Sequence, residues 1–160
     1  MPHFGIRTLF ASLLLVSLAG CAKQVAEDLG VIPVVCGSDG VRLQAAVNGE
    51  AWCADGNITA MADSNDLMLM GVSLSGSTLA FQLHQMVPGV HPLDGNTNTV
   101  LLSGLGAYHL SQDSDPGTLM VTIHDTVDHR LKAEFDVHLY SAQGAGSKHL
   151  TGSFDVQYTE

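Results

Sequence analysis

Histidines and cysteines carry most of the chemistry open to this chain. Eight histidines occur, seven of them after residue 20. His84, His124 and His138 fall on the polar side of segments that alternate apolar and polar residues. If Leu119–His124 and Arg130–Tyr140 form a hairpin, His124 and His138 face the same side of a sheet, with His129 in the turn. Three imidazoles at His124, His129 and His138, near Asp125 and Asp128, would suit zinc or copper. Such a site also needs converging geometry and neighbouring groups that orient each ring. The competing reading is a set of strand histidines facing water. Asp113-Ser114-Asp115 has the short carboxylate spacing of a calcium loop, but Pro116-Gly117 follows as a turn and the later ligands are missing. No Gly-x-Ser-x-Gly elbow, phosphate loop or dinucleotide fingerprint occurs, so no cofactor is implied.

Cys21 closes the stretch Leu18-Ala19-Gly20-Cys21, which ends an apolar run from Leu9 to Leu18. Arg7 precedes that run and small residues follow it, as in a secretory signal. The run is about ten residues, against about twenty for a spanning helix. The pattern matches a lipobox, where the leader is removed and the cysteine thiol is acylated. Residues 1–20 then form a lipoprotein signal peptide, and 21–40 a lipidated N-terminus and tether. One acyl chain binds a membrane only marginally, so stable anchoring takes more than one. Lipobox cysteines, by resemblance, carry several. Lys23, two residues past the cysteine, is not the aspartate that keeps some lipoproteins in the inner membrane, which points to the outer one.

With Cys21 acylated, Cys36 and Cys53 remain as an even pair in an oxidising compartment, and a disulfide is expected. It would close a short loop, worth on the order of 3 kcal/mol in the chain-entropy model. All 16 acidic residues follow residue 20, whereas Arg7 is lost with the leader, so five basic residues remain and the net charge is −11. A surface of that sign repels nucleic acid and anionic lipid. The membrane contact expected is the lipid alone.

The elements that must position these residues are strands. Asn48-Gly49 is a strong hairpin signal. Turn clusters punctuate the chain at Asp55–Asn57, Asp63–Asp66, Ser75–Ser77, Asp94–Asn96, Asp113–Gly117 and Gly144–Ser147, the first three eight to twelve residues apart. Between them, Leu79, Phe81 and Leu83 alternate with Gln82 and His84. Leu119, Val121 and Ile123 are expected to oppose Thr122 and His124, and Ala133, Phe135, Val137 and Leu139 to oppose Glu134, Asp136 and His138. This period of two marks antiparallel strands with one wet face. Leu67–Leu74 is apolar in both phases, which suggests a central strand. Val31–Val35 is apolar enough for an edge strand, with Pro33 excluding an interior position. The fold expected is all-β, an antiparallel β-sandwich or flattened barrel of about 8–10 short strands over residues 41–160.

Ala46-Val47-Asn48-Gly49-Glu50-Ala51-Trp52, the strand Gly117–Ile123, and the closing pair Lys132–Val137 and Leu150–Val156 together resemble a family of small bacterial envelope lipoproteins classed as a domain of unknown function. The likeness covers about residues 42–160. In that family a glycine often precedes the first phenylalanine of the closing pair; Ala133 and Glu134 stand there in this chain. The resemblance implies an all-β lipoprotein and brings no activity with it. The expected function is a non-enzymatic, membrane-anchored envelope lipoprotein that binds an envelope protein or a small extracellular ligand. A metal-binding module built on His124, His129 and His138 is the alternative, and a hydrolase with a loop-built site a third.

Overall fold

Asn48-Gly49 makes the first hairpin. Both residues have positive φ, 52° and 85°, as this tight turn requires. The hairpin joins β1 (Arg42–Val47) to β2 (Glu50–Cys53). The Asn48 side chain also ties the turn to the last strand. Its Oδ1 accepts the His149 backbone N–H at 2.8 Å, and its own N–H donates to the His149 carbonyl at 2.8 Å. The structure, a computed structural model, describes residues 36, 41–54, 57–104, 106–144 and 146–160. Cys21, the leader and the Val31–Val35 strand expected in the tether lie outside these described residues.

Nine more strands follow: β3 (Asn57–Asp63), β4 (Asp66–Val72), β5 (Thr78–His84), β6 (Gly89–Leu93), β7 (Thr99–Gly104), β8 (Ala107–Leu110), β9 (Gly117–Asp125), β10 (Arg130–Ser141) and β11 (Ser147–Gln157). The described residues contain no helix. The strands form one antiparallel sheet in the order β2-β1-β11-β10-β8-β7-β5-β4-β3, with β6 and β9 branching from β10, and the sheet curls into a half-barrel. The all-β, antiparallel expectation holds. Past the end of β11, Ala62 N–H donates to the Thr159 carbonyl at 2.7 Å and Thr159 N–H to the Ala60 carbonyl at 3.1 Å. Those two bonds bring the outer edge of β3 against the C-terminus.

Strand β10 shows why the sequence folds this way. Leu131, Ala133, Phe135, Val137 and Leu139 are buried, while Lys132, Glu134, Asp136 and His138 are exposed. Phe135 meets Phe81 of β5 and Phe154 of β11, with ring centroids 5.0 and 6.4 Å away, and Phe81 lies 5.5 Å from Phe154. This aromatic trio fills the concave side, each buried side chain contributing roughly 1.5–3 kcal/mol. Gly152 lets β11 pass close to β1 and β10, since a Cβ there would lie 2.3 Å from the Gln44 carbonyl oxygen. The expected disulfide is present: Cys36 bonds to Cys53 at the end of β2, with the Cα atoms 5.1 Å apart.

Two local expectations fail. The pairing of β9 with β10 slips by one residue between Lys132 and Ala133, a β-bulge at Thr122. A bulge adds one residue to one strand, so side chains beyond it change faces. Ile123 therefore points outward at 38% exposure. His124 pairs with the buried Leu131 and turns inward, opposite to the sequence expectation. In β4, Leu67 and Leu69 are buried but Met68 and Met70 face out, Met68 at 53% exposure. The strand is not central: only β3 lies beyond it. Unbranched, polarisable methionine tolerates such an open face.

Candidate functional site

The curled sheet has two mouths, and each gathers polar side chains. At the first mouth stand the β3–β4 turn, the end of β5, the β9–β10 turn and the C-terminus. They enclose a cleft of about 440 Å³ that includes Asp66, Met86, His124, Tyr158 and Glu160. The bulge delivers His124 to it. His124 Nδ1 hydrogen-bonds the Met86 carbonyl, and its Nε2 lies 3.1 Å from the Tyr158 hydroxyl. A carbonyl can only accept, so Nδ1 carries the proton and Nε2 accepts from Tyr158. Burial, then the Glu160 and Asp125 charges, hold the Tyr158 hydroxyl above the usual tyrosine range, so it keeps its proton to donate. His129 packs edge-on against Tyr158, with centroids 5.3 Å apart. Its inward Nδ1 makes no hydrogen bond; Glu160 Oε1, 3.7 Å away, is too far. Beside them, Asp125 accepts the Val127 and Asp128 backbone N–H groups at 2.8 and 3.0 Å and fixes the turn. Arg130 grips Asp155 with two bonds of 2.7 Å.

The proposed trio of His124, His129 and His138 does not assemble. His124 and His129 flank Tyr158, but His138 lies on the convex face, seven residues along β10 from the partner of His124, roughly 23 Å at about 3.3 Å per residue. The bulge puts His124 and His138 on opposite faces, and strand length separates them. Among the described residues, no three His, Cys, Asp or Glu side chains gather to hold a metal ion. His138 instead stacks on His149, the residue opposite it in β11. Only the register of β10 against β11 reveals that pair.

At the second mouth lie the β1–β2 hairpin, the β4–β5 turn, the β7–β8 turn and the start of β11. A cleft of about 610 Å³ opens there, bordered by Trp52, Ser77, Ser103, Glu50, His109 and Lys148. Trp52 comes from β2, is 9% exposed, and donates its indole N–H to Ser77 Oγ at 2.7 Å. Ser77 Oγ in turn lies 2.7 Å from Ser73 Oγ, which lies 2.8 Å from Ser75 Oγ. The hydroxyl chain locks the ring in place, and the Cys36–Cys53 disulfide adjoins it on β2. Among the described residues, Glu50, His109 and Lys148 have no side-chain hydrogen bond or ion pair. Ser75–Ser77 reads in the sequence as a turn. The one local signal missed is the alternation Ser73-x-Ser75-x-Ser77, which puts three hydroxyls on one turn.

Clefts of this size fall in the range that holds small ligands, where a few polar groups orient an otherwise apolar contact. The second mouth has the required mixture: an immobilised indole, serine hydroxyls and rim charges of both signs. No protein-family model, curated protein or solved structure matches this chain.

Proposed function

We propose that the chain is a membrane-anchored envelope lipoprotein, held through acylated Cys21, that binds a small ligand in the Trp52 cleft. The anchor rests on the Leu18-Ala19-Gly20-Cys21 motif and the apolar leader before it. The binding role rests on one observation. Trp52 is fixed from behind by Ser77, while Glu50, His109 and Lys148 stand around the cleft without protein partners among the described residues. A ligand that suits this set has a flat apolar face for the indole, and polar or zwitterionic groups for the hydroxyls and rim charges. Cyclic sugars and short peptides have that character.

Trp52 is the only tryptophan, so its fluorescence reports on the cleft alone. Titration with a panel of sugars, zwitterionic amino acids and short peptides is expected to give a saturable shift in emission for one class. The same ligand should bind at least tenfold more weakly to Lys148→Ala or Glu50→Ala. If no member of the panel moves the emission at millimolar concentration, the small-ligand reading fails. Mass spectrometry of the membrane-extracted protein tests the anchor separately, through a chain beginning at Cys21 with added diacylglycerol mass.

A further inference from the structure

We infer that His138 and His149 form a two-imidazole site for a divalent late transition ion on the convex face, apart from the Trp52 cleft. The two residues are direct partners across β10 and β11, so their Cβ atoms are neighbours. Their rings lie 4.5 Å apart, centroid to centroid, at 34°. Both side chains are close to half exposed, 49% and 45%, which leaves room for an ion and its water ligands.

What separates this pair from ordinary surface histidines is the layer around it. His149 Nε2 lies 2.8 Å from Asp136 Oδ1, and His138 Nδ1 lies 3.3 Å from Asp115 Oδ2. Asp136 thus hydrogen-bonds one ring nitrogen of His149, and Asp115 stands within ion-pair reach of His138 Nδ1. The other nitrogen, Nδ1 of His149 and Nε2 of His138, has no protein partner among the described residues. A carboxylate behind a histidine is the usual support of a metal-binding imidazole: it fixes the tautomer and leaves the far nitrogen with its lone pair.

The carboxylates are themselves positioned. Tyr140 donates its hydroxyl to Asp115 Oδ2 at 2.6 Å. Asp115 reaches this face because β9 pairs with β10 only as far as Asp136, and the Gln112–Asp115 turn occupies the space beyond. The backbone of His149 is fixed by Asn48, whose Oδ1 accepts its N–H. The rings therefore sit on the two longest strands rather than on a loop, which is what a preorganised site needs.

Two imidazoles select borderline ions, with copper(II) favoured over nickel(II) and zinc(II) by the usual affinity order. The protein supplies two nitrogens; water completes the shell. The negative surface and the two aspartates draw a cation to the site.

The test is titration of the purified full chain with copper(II), followed by calorimetry and by electron paramagnetic resonance. One equivalent is expected to bind with a nitrogen hyperfine pattern from two imidazoles. His138→Ala and His149→Ala should each lower affinity at least tenfold. Asp136→Asn should lower it about tenfold while both ring nitrogens remain, as supporting-shell changes do. His84→Ala, which removes a histidine paired with Asp66 at 2.5 Å elsewhere on the sheet, should leave the affinity unchanged. A spectrum from one nitrogen, or equal affinity in His138→Ala and wild type, overturns the site. The spectrum of the wild-type protein decides the matter even if a variant folds poorly. Neither result bears on the Trp52 cleft, which Lys148→Ala and Glu50→Ala probe independently.

Discussion

At one mouth of the curled sheet, Tyr158 donates to His124 and His124 donates to the Met86 carbonyl; at the other, Trp52 donates to Ser77 and leaves Glu50, His109 and Lys148 around it. The first mouth pairs its His124 and Tyr158 side chains with each other and with the backbone, while His129 Nδ1 stays without a hydrogen bond. Asp125 caps the β9–β10 turn, and Arg130 holds Asp155 in a two-pronged ion pair. A buried polar group costs little only when it is paired, and His124 and Tyr158 meet that condition. The second mouth uses its hydroxyls to fix one aromatic ring and keeps its charges facing solvent. Cleft volume alone, about 440 against 610 Å³, separates the mouths less than this difference in pairing does. A histidine or an acid near a cleft is informative chiefly when its hydrogen-bonding capacity is still open.

The strongest way to break this contrast is at Trp52. Trp52→Ala removes the ring that both packs the core and walls the cleft, and is expected to cost about 3–5 kcal/mol in urea unfolding, as buried aromatic truncations do. Trp52→Phe should recover most of that loss, because the phenyl ring retains the apolar contact. If Trp52→Ala cost under about 1 kcal/mol, the ring would be a loose surface group and the preorganised wall would not exist.

The disulfide sharpens the same point. Replacing Cys36 and Cys53 together by serine should cost on the order of 3 kcal/mol. Because the bridge holds the end of β2, amide exchange should quicken first at Glu50–Cys53 and leave Tyr158 protected. Uniform loss of protection would show that the bridge acts on the whole sheet rather than on one mouth.

Smaller effects should distinguish the two hydrogen bonds. Tyr158→Phe leaves the inward-facing Nε2 of His124 without its donor, at an expected cost of about 1–2 kcal/mol. Ser77→Ala removes the acceptor of the indole N–H and should cost about 1 kcal/mol or less, since that bond borders an open cleft. Equilibrium unfolding of both variants checks the order. A larger loss for Ser77→Ala would mean that the Trp52 mouth is the more consolidated one.

Much of this architecture is legible in the sequence because its signals are local. The period of two in Leu131–Leu139 marks β10, and Asn48-Gly49 sets a turn by its own backbone preference. The even pair left after Cys21 points to the Cys36–Cys53 bond. What escaped depends on partners distant in the chain. The Thr122 bulge arises where β9 must match β10, and nothing in Leu119–His124 announces it, so Ile123 and His124 exchange faces. The outward methionines of β4 look like core residues until the sheet order places that strand beside the edge strand β3. The His138–His149 pair needs the β10–β11 register, and Asp115 needs the place where β9 stops. Site residues were therefore less legible than strands, because strand patterns lie within one segment and sites are meetings between segments.

Acid should open the two mouths unequally. Bonds from the Asp128 and Val127 backbone N–H groups hold the Asp125 carboxyl below its ordinary value of 3.8, and Arg130 does the same for Asp155. Asp125 lies beside Tyr158, and Asp155 stands on β11 three residues before it. Because each folded-state value is depressed, their contribution is complete above the unfolded value near 3.8 and is lost as pH falls through the lower folded value. Stability by urea unfolding should therefore decline below about pH 4, and Asp125→Asn should flatten part of that decline. Amide exchange at Val127, Asp128 and Tyr158 should rise on acidification before exchange at Trp52 does. If Trp52 lost protection first, the Tyr158 mouth would not be the one that depends on ionised carboxylates, and the contrast between the two mouths would have to be drawn the other way.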